Sequence, residues 1–113
     1  MDFEALIIEA RKFLDANETD RLATVLFTDK GNTYIIHHKS CEESYAVCAT
    51  LSSMIAAEDI RILKTVTMFS GGCLEIPSAW LRKFLYELNN DNKDMEILMQ
   101  DGKRIFLLKD FMR

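Results

Sequence analysis

The stretch Leu22–His37, with the sequence LATVLFTDKGNTYIIH, decides how the first half of the chain folds. Residues 22–27 form a nearly continuous apolar run, which is typical of a strand in the interior of a sheet. Asp29–Asn32 has the composition of a turn, and Gly31 can adopt a positive φ there without steric cost. Residues 33–37 are rich in β-branched and aromatic side chains, and they predict the return strand of a β-hairpin.

Three further segments repeat apolar residues at the spacing of an α-helix. The first runs from Phe3 to near Asn17, and the second from about Ser44 to Glu58. Small Ala and Ser residues fill the second helix between its large apolar residues, so it is predicted to be buried on several sides, either within the chain or at a subunit interface. The third helix begins with Pro77 at its first position, where a missing backbone N–H costs nothing.

The remaining strands complete the order αββαβαββ. Ile62–Phe69 predicts a third strand, and Ser70–Gly72 interrupts it. Met95–Gln100 and Arg104–Leu108 predict a final hairpin, because the Asp101–Gly102 dipeptide between two apolar runs is a strong turn signal. This order predicts a mixed five-stranded sheet with helices on its faces, an antiparallel first pair and the strand order 2-1-3-4-5.

The predicted core consists of the central apolar positions of each periodic segment. The aromatic and aliphatic residues of the third helix are interpreted as core rather than as a ligand site, and the scattered methionines as packing residues. The residues expected to be largely buried are Phe13, Val25, Ile35, Val47, Leu51, Val66, Trp80, Phe84, Ile97 and Phe106.

Length and charge exclude several classes of function. A chain of 113 residues is expected to form one domain, residues 1–113. Its net charge of -4 and the lack of a basic stripe disfavour binding to nucleic acid, and no apolar run approaches the ~18 residues that span a membrane. No signal peptide is recognisable at the start. Cys41, Cys48 and Cys73 are therefore expected to be reduced thiols in a cytoplasmic protein.

The cysteines and histidines are the candidate zinc ligands, because thiolates and imidazoles are its usual donors. No two cysteines form a C-x-x-C pair, so their spacing favours structural roles. Cys48 is interpreted as a small core residue on a buried helix, Cys73 as a loop residue, and His37 and His38 as the end of a strand. Ser70–Gly72 lacks the residues that complete a phosphate-binding motif, so it is predicted to be a loop that needs conformational freedom.

Three stretches resemble the small nucleoside deaminases of the cytidine deaminase superfamily. Residues 26–34, LFTDKGNTY, resemble the first hairpin of that family. Residues 45–50, YAVCAT, lie where the family has Cys-Ala-Glu opening its second helix, and residues 76–82, IPSAWLR, lie where it has Pro-Cys-Gly-x-Cys-Arg. The final hairpin and the Lys109–Phe111 tail fit as well. The resemblance covers the whole order of elements and implies a three-layer α/β/α cytidine-deaminase-like fold.

The chemistry of that family needs residues that this sequence replaces. In the family, three side chains hold zinc, zinc activates a water, and a glutamate that is not a ligand shuttles protons. The resemblance places Cys48 at the first ligand position, Thr50 at the glutamate, and Ser78 and Leu81 at the other two ligands. A hydroxyl cannot act as general acid and base at neutral pH, leucine cannot bind zinc, and serine is a poor substitute for a thiolate.

Other family positions are partly retained. Pro77 and Arg82 match the family motif, and both have structural uses. The asparagine and glutamate that contact ribose in the family would fall near His37 and Lys39, so they are absent here. The resemblance therefore predicts the fold but not the usual reaction.

These observations lead to one interpretation and its alternatives. The chain is interpreted as a non-catalytic domain without a cofactor, which binds a small nucleoside-like ligand or assembles as a homo-oligomer or with another partner. Its remnant pocket would contain Cys48, Thr50, Pro77 and Ser78. One alternative is an active zinc-dependent cytidine deaminase or related hydrolase with a shifted metal site, made of Cys48, Cys73 and either His37 or His38. The other is an unrelated α/β domain, which a different strand order would reveal.

Overall fold

The computed structural model describes residues 2–17, 19–38 and 43–111, and no helix in these ranges is long and apolar enough to cross a membrane. The helices are α1 (Phe3–Ala16), α2 (Glu43–Ala56) and α3 (Ala79–Leu88), together with short 3₁₀ helices at Asn90–Asp94 and Leu108–Phe111. The strands are β1 (Leu22–Thr28), β2 (Thr33–His38), β3 (Ile62–Phe69), β4 (Leu74–Glu75), β5 (Glu96–Leu98) and β6 (Ile105–Leu107).

One mixed sheet holds all six strands, in the order β2-β1-β3-β5-β6, with β4 paired to β3. β3 and β5 are parallel, and the other pairs are antiparallel. The predicted order 2-1-3-4-5 is confirmed, because the predicted fourth and fifth strands are β5 and β6. The sequence did not predict β4. It forms because the chain turns back after β3 through Gly72, whose φ of 89° favours glycine, so that Leu74 lies opposite Met68.

Helices cover both faces of the sheet, which confirms the predicted three-layer α/β/α architecture. Helix α1 packs on β1 and β3 through a cluster that includes Leu6, Val25 and Val66. Helices α2 and α3 contribute to the core on the opposite face, where Leu26 and Ile36 are buried. Consecutive residues of β1 are thus buried on opposite faces, as expected for a nearly continuous apolar strand.

The predicted core is confirmed at five of its central positions and wrong at two aromatic residues. Trp80 and Phe106 remain 38% and 37% exposed. Trp80 lies in the first turn of α3 with its ring 4.5 Å from that of Phe84, and Phe106 lies on the edge strand β6. Both side chains therefore lie at the periphery of the core. The buried residues are Val25, Val47, Leu51, Val66 and Ile97, and those of intermediate exposure are Phe13, Ile35 and Phe84.

Pro77 precedes α3 instead of occupying its first position, as the sequence had suggested. The side chain of Ser78 accepts a hydrogen bond from the backbone N–H of Leu81 at 3.1 Å, so Ser78 is the N-cap and the helix begins at Ala79. Serine is a better N-cap than Ile76, which would cap a helix beginning at Pro77, because the serine oxygen pairs with one of the free N–H groups of the first turn.

Helix α2 is not buried on several sides within the chain. Val47, Leu51 and Met54 face the core, but the opposite surface is open. Tyr45 is 80% exposed and Ile55 is 57% exposed. The prediction of burial within one chain is therefore wrong, and only its alternative, a subunit interface, stays open.

Asn92 connects three parts of the fold through its buried amide. Its Oδ1 accepts from the backbone N–H of Ile62 at 2.7 Å, and its Nδ2 donates to the carbonyls of Ile60 and Leu85 at 3.1 and 2.9 Å. The side chain thereby joins the end of α3 to the start of β3. The sequence had identified this region only as the end of a helix.

Asp59 plays a similar role between α2 and the first hairpin. Its carboxylate is buried and accepts hydrogen bonds from the Nδ2 of Asn32 at 2.9 Å and the hydroxyl of Tyr34 at 3.0 Å. Burial acts to raise the pKa of Asp59, but hydrogen bonds from Asn32, Thr28 and Tyr34 and the charge of Lys30 outweigh it and hold that pKa below its ordinary value. The folded state therefore favours the ionised carboxylate.

Replacing Asp59 by Asn is expected to destabilise the protein at neutral pH by about 1.5–3 kcal/mol, the range for hydrogen bonds to a charged group. Because the folded pKa of Asp59 is lowered from 3.8, this stabilisation is complete above that value and is lost as the pH falls through the folded pKa. Urea titrations should show the difference between the two proteins shrinking in acid. Asp29→Asn, at an exposed carboxylate of the adjacent turn, is the control. Equal destabilisation by both variants would contradict this role for Asp59.

Candidate functional site

A cavity of about 320 Å³ lies between the sheet and the start of α3. Thr24 of β1 and Thr67 of β3 line it from the sheet, and His38 lines it at the end of β2. Residues 75–78, which connect β4 to α3, and Leu81 in the first turn of α3 complete the wall. The cavity exists because β4 turns back on β3 and carries the following segment past the end of the sheet.

The two threonines form a hydrogen-bonded pair in the middle of the sheet. Thr24 and Thr67 lie directly opposite each other in the β1–β3 register, and their hydroxyl oxygens are 2.9 Å apart. Both residues are almost completely buried, with 0% and 2% exposure. A hydroxyl has one donor hydrogen and two acceptor lone pairs, so a single bond between two hydroxyls leaves one hydrogen and several lone pairs unused. The pair therefore places a polar feature within the sheet, directly behind the cavity.

The rest of the cavity is mainly apolar and carries little charge. Leu22, Ile36 and Phe69 line it beside the threonines. Among the described residues, Glu75 is the one carboxylate that lines it, and this side chain accepts a hydrogen bond from Gln100 Nε2 at 3.1 Å. None of the lysines or arginines in the described part of the chain lines the cavity.

Arg82, which directly follows the lining residue Leu81, has a structural role in the loop before α3. Its guanidinium donates to the carbonyl of Pro77 at 2.5 Å and lies 4.7 Å from the ring centre of Phe111. Burial lowers the pKa of Arg82 from its ordinary value. This matches the structural use expected for Arg82, because the side chain holds the loop before α3 and the C-terminal 3₁₀ helix together.

The residues of the predicted remnant pocket lie in three places. Pro77 and Ser78 line the 320 Å³ cavity. Thr50 lines a neighbouring cavity of about 220 Å³, and His38 lines both cavities. Cys48 is exposed on α2 and lines neither, so its interpretation as a core residue is wrong. The small residues around α2 had suggested burial there, but Cys48 lies on the open face of the helix.

The residues that the sequence resemblance aligns with the zinc ligands do not fit a three-ligand zinc site in this structure. The hydroxyl of Ser78 is engaged as the cap of α3, and Leu81 is buried in the core. Across residues 2–17, 19–38 and 43–111, no three His, Cys, Asp or Glu side chains come together in a group that could hold a metal ion.

The shifted metal site is likewise not assembled. Cys48 lies on the open face of α2, and Cys73 is exposed in the turn between β3 and β4. His37 has its Nδ1 3.2 Å from the carboxylate of Asp20, and its ring lies 4.6 Å from that of Phe13 on α1. The three proposed ligands therefore belong to different parts of the surface. Lys39 and Cys41 lie outside the described residues.

Sequence reasoning identified His38 and Ser78 but missed three other polar residues that line the cavity, namely Thr24, Thr67 and Glu75. The available signal was the presence of threonines in otherwise apolar strands, because a buried hydroxyl needs a hydrogen-bonding partner. The two threonines become a pair only through the β1–β3 register, which the residue pattern alone does not give.

Comparison with known proteins identifies the architecture. The sequence matches no protein-family model and no curated protein. Solved structures do match: cytidine deaminase from Mycobacterium leprae has a TM-score of 0.76 at 14% identity, over 99% of this chain and 98% of that one. For cytidine deaminase from Mycobacterium tuberculosis the TM-score is 0.75 at 16% sequence identity, and the match covers 99% of this chain and 94% of that one. For cytidine deaminase from Burkholderia pseudomallei the TM-score is 0.66 at 19% sequence identity, and the match covers 97% of this chain and 95% of that one. At such identities the likeness concerns the fold alone, and the chain has a cytidine deaminase-like fold.

Proposed function

We propose that this chain is a non-catalytic cytidine-deaminase-like domain that binds a small nucleoside-like ligand in the cavity at the start of α3. One observation carries the proposal. A cavity of about 320 Å³ is present there, while the positions that resemble the zinc ligands and the proton shuttle hold Ser78, Leu81 and Thr50. The volume lies at the lower end of the roughly 300–1,000 Å³ typical of small-molecule sites.

The lining residues support binding rather than reaction. Apolar walls can bury a ring, and a few polar groups can fix its orientation. Ser78 and Leu81 contribute to the helix cap and the core, so neither is placed to act on a substrate. Thr50, in the adjoining cavity, offers only a hydroxyl whose pKa is far from the range of a general base.

The binding proposal predicts that cytidine or uridine produces saturable shifts in amide NMR signals around the cavity, including those of His38 and Glu75. Ile76→Trp, at a partly buried position in the cavity wall, should abolish these shifts by filling the space. Ile105→Trp, on the exposed edge strand, should leave them unchanged and serves as the control. Shifts that survive Ile76→Trp, or no shifts with either nucleoside, would contradict binding of nucleosides at this site.

The non-catalytic proposal predicts no release of ammonia from cytidine or deoxycytidine above background, and far less than one zinc per chain in elemental analysis. Thr50→Glu alone should not create activity, because it supplies a proton shuttle without a metal-activated water. Turnover that a chelator abolishes would refute the proposal. So would nearly one zinc per chain that is lost on Cys48→Ala.

A second proposed role, self-assembly, is favoured by the exposed face of α2. The sequence from Ser44 to Ala57 contains no charged residue, although 28% of the chain is charged. The open face presents Tyr45 near one end and Ile55 near the other, with Ala49 and Ser52 between them. A second copy of the same helix is a matching partner, because two such faces packed antiparallel would place each Tyr45 near the Ile55 of the other, with the small residues between them in contact.

Self-assembly predicts that the protein sediments as a dimer or larger oligomer at micromolar concentration. Ala49→Glu should shift it to the monomer, because the variant would bury an unpaired charge in the contact. Lys83→Glu, at an exposed position of α3, is the matched control and should not change the assembly. A wild-type protein that is monomeric throughout the concentration range would exclude this role for α2.

A further inference from the structure

Glu75 is a partly exposed carboxylate in the lining of the cavity beside α3. We infer that Glu75 is the specificity-determining residue of this cavity, and that its carboxylate selects ring-shaped ligands that carry an N–H donor, such as an amino or amidine group, over ligands that present only acceptors. This inference rests on the proposed ligand binding, and it adds the chemical group by which the ligand is recognised.

The floor of the cavity is a row of side chains that crosses four strands. Thr24 of β1 lies opposite Ile36 of β2 on one side and opposite Thr67 of β3 on the other. Thr67 in turn lies opposite Glu75 of β4. Residues directly opposite each other in an antiparallel pair point to the same face of the sheet. All four side chains are therefore on the cavity side, and all four residues line the cavity.

Accessibility along this row rises at Glu75. Ile36, Thr24 and Thr67 are only 1%, 0% and 2% exposed, so their neighbours cover them. Glu75 is of intermediate exposure and stands at the end of the row, on the two-residue strand β4. A ligand in the cavity therefore meets the carboxylate of Glu75, and not the threonine hydroxyls, as the polar group of the floor.

The carboxylate of Glu75 has hydrogen-bonding capacity to spare. Its Oε2 accepts from the Nε2 of Gln100 at 3.1 Å, and this is the only hydrogen bond or ion pair of the side chain among residues 2–17, 19–38 and 43–111. An ionised carboxylate has two oxygens with about four lone-pair positions and no donor. It can therefore accept N–H groups of a ligand, whereas a ligand acceptor at the same place would face lone pairs and lose its bonds to water.

The two other polar groups that a ligand can reach are His38 and Ser78. The hydroxyl of Ser78 accepts from the first turn of α3 as its cap. His38 could become a cation, but it lies on β2, which β1 and β3 separate from β4 by roughly 14 Å, or three strand spacings. The imidazole does not pair with Glu75, and none of the described lysines or arginines lines the cavity. His38 can therefore contact the far end of a ligand while Glu75 keeps its charge unpaired.

The test uses three probes that share a benzene ring and differ in one substituent. Benzamidine presents only N–H donors, on a cationic group, benzamide presents a donor beside an acceptor, and acetophenone presents only an acceptor. Amide NMR titrations should show saturable shifts around Glu75. Benzamidine should bind about tenfold or more tightly than acetophenone, with benzamide between them, as expected for hydrogen bonds to a charged group.

Glu75→Gln tests the carboxylate directly. Glutamine keeps the length of the side chain and can still accept from Gln100, so the fold should remain intact, which the dispersion of the amide signals checks. The affinity for benzamidine should fall about tenfold, because a charged acceptor is lost, and the difference from acetophenone should shrink accordingly. Glu87→Gln is the matched control, because it removes the same charge from an exposed position of α3 outside the cavity and should leave the affinities unchanged.

The outcomes separate this inference from the proposed function. Equal affinities of benzamidine and acetophenone, or equal effects of Glu75→Gln and Glu87→Gln on benzamidine binding, would overturn the inference. If cytidine or uridine binds in the cavity and the three probes do not bind in the expected order, the proposed function stands and the inference fails. If no nucleoside and no probe shifts the cavity signals, both are refuted.

Discussion

The antiparallel pairing of β1 with β3 is the contact on which the rest of the structure depends. Both strands are central, and their register places Val25 opposite Val66 and Thr24 opposite Thr67. Side chains alternate across a strand, so this one register sends the valines to α1 and the threonines to the opposite face. If β3 slipped by one residue against β1, Thr67 would turn toward α1 and Val66 would turn toward the cavity, while Thr24 and Val25 kept their faces. The packing of one face and the polarity of the other are therefore determined together.

The sequence predicted the features that depend on local pattern. Turn composition predicts the hairpin at Gly31, and apolar periodicity predicts the packing of α1; both signals act over a few residues. The order of the strands follows once these elements are placed along the chain, because the rules for connecting strands allow few arrangements. Features that depend on contacts between distant segments were not predictable in this way. The roles of Asn92 and Asp59 arise from bonds to residues about 30 positions away in the chain, and no local pattern signals them.

The residues of the candidate site divide in the same way, into those that a local motif predicts and those that depend on contacts between distant segments. Pro77 and Ser78 could be placed near a cavity because their motif resembles that of a known family. The pair Thr24–Thr67 could not, since two residues 43 positions apart become neighbours only through the strand register. The burial of Cys48 was predicted wrongly for a related reason. A helix without charged residues has the same composition whether it is covered by its own chain or by another molecule.

Ser78 and Leu81, which the sequence resemblance aligns with two zinc ligands, both contribute to the stability of this fold, so introducing metal ligands at these positions would be costly. Ser78 caps α3, and removing such a cap costs about 1 kcal/mol. Leu81 is 2% exposed within the core, and trimming a buried leucine costs about 2–5 kcal/mol when the side chain is reduced to alanine. Since small domains are stable by only about 5–15 kcal/mol, replacing both residues with cysteine would use a considerable part of that margin before any metal was bound. The same two residues therefore hold the start of α3 in place beside the cavity, and cysteines at these positions would weaken that arrangement.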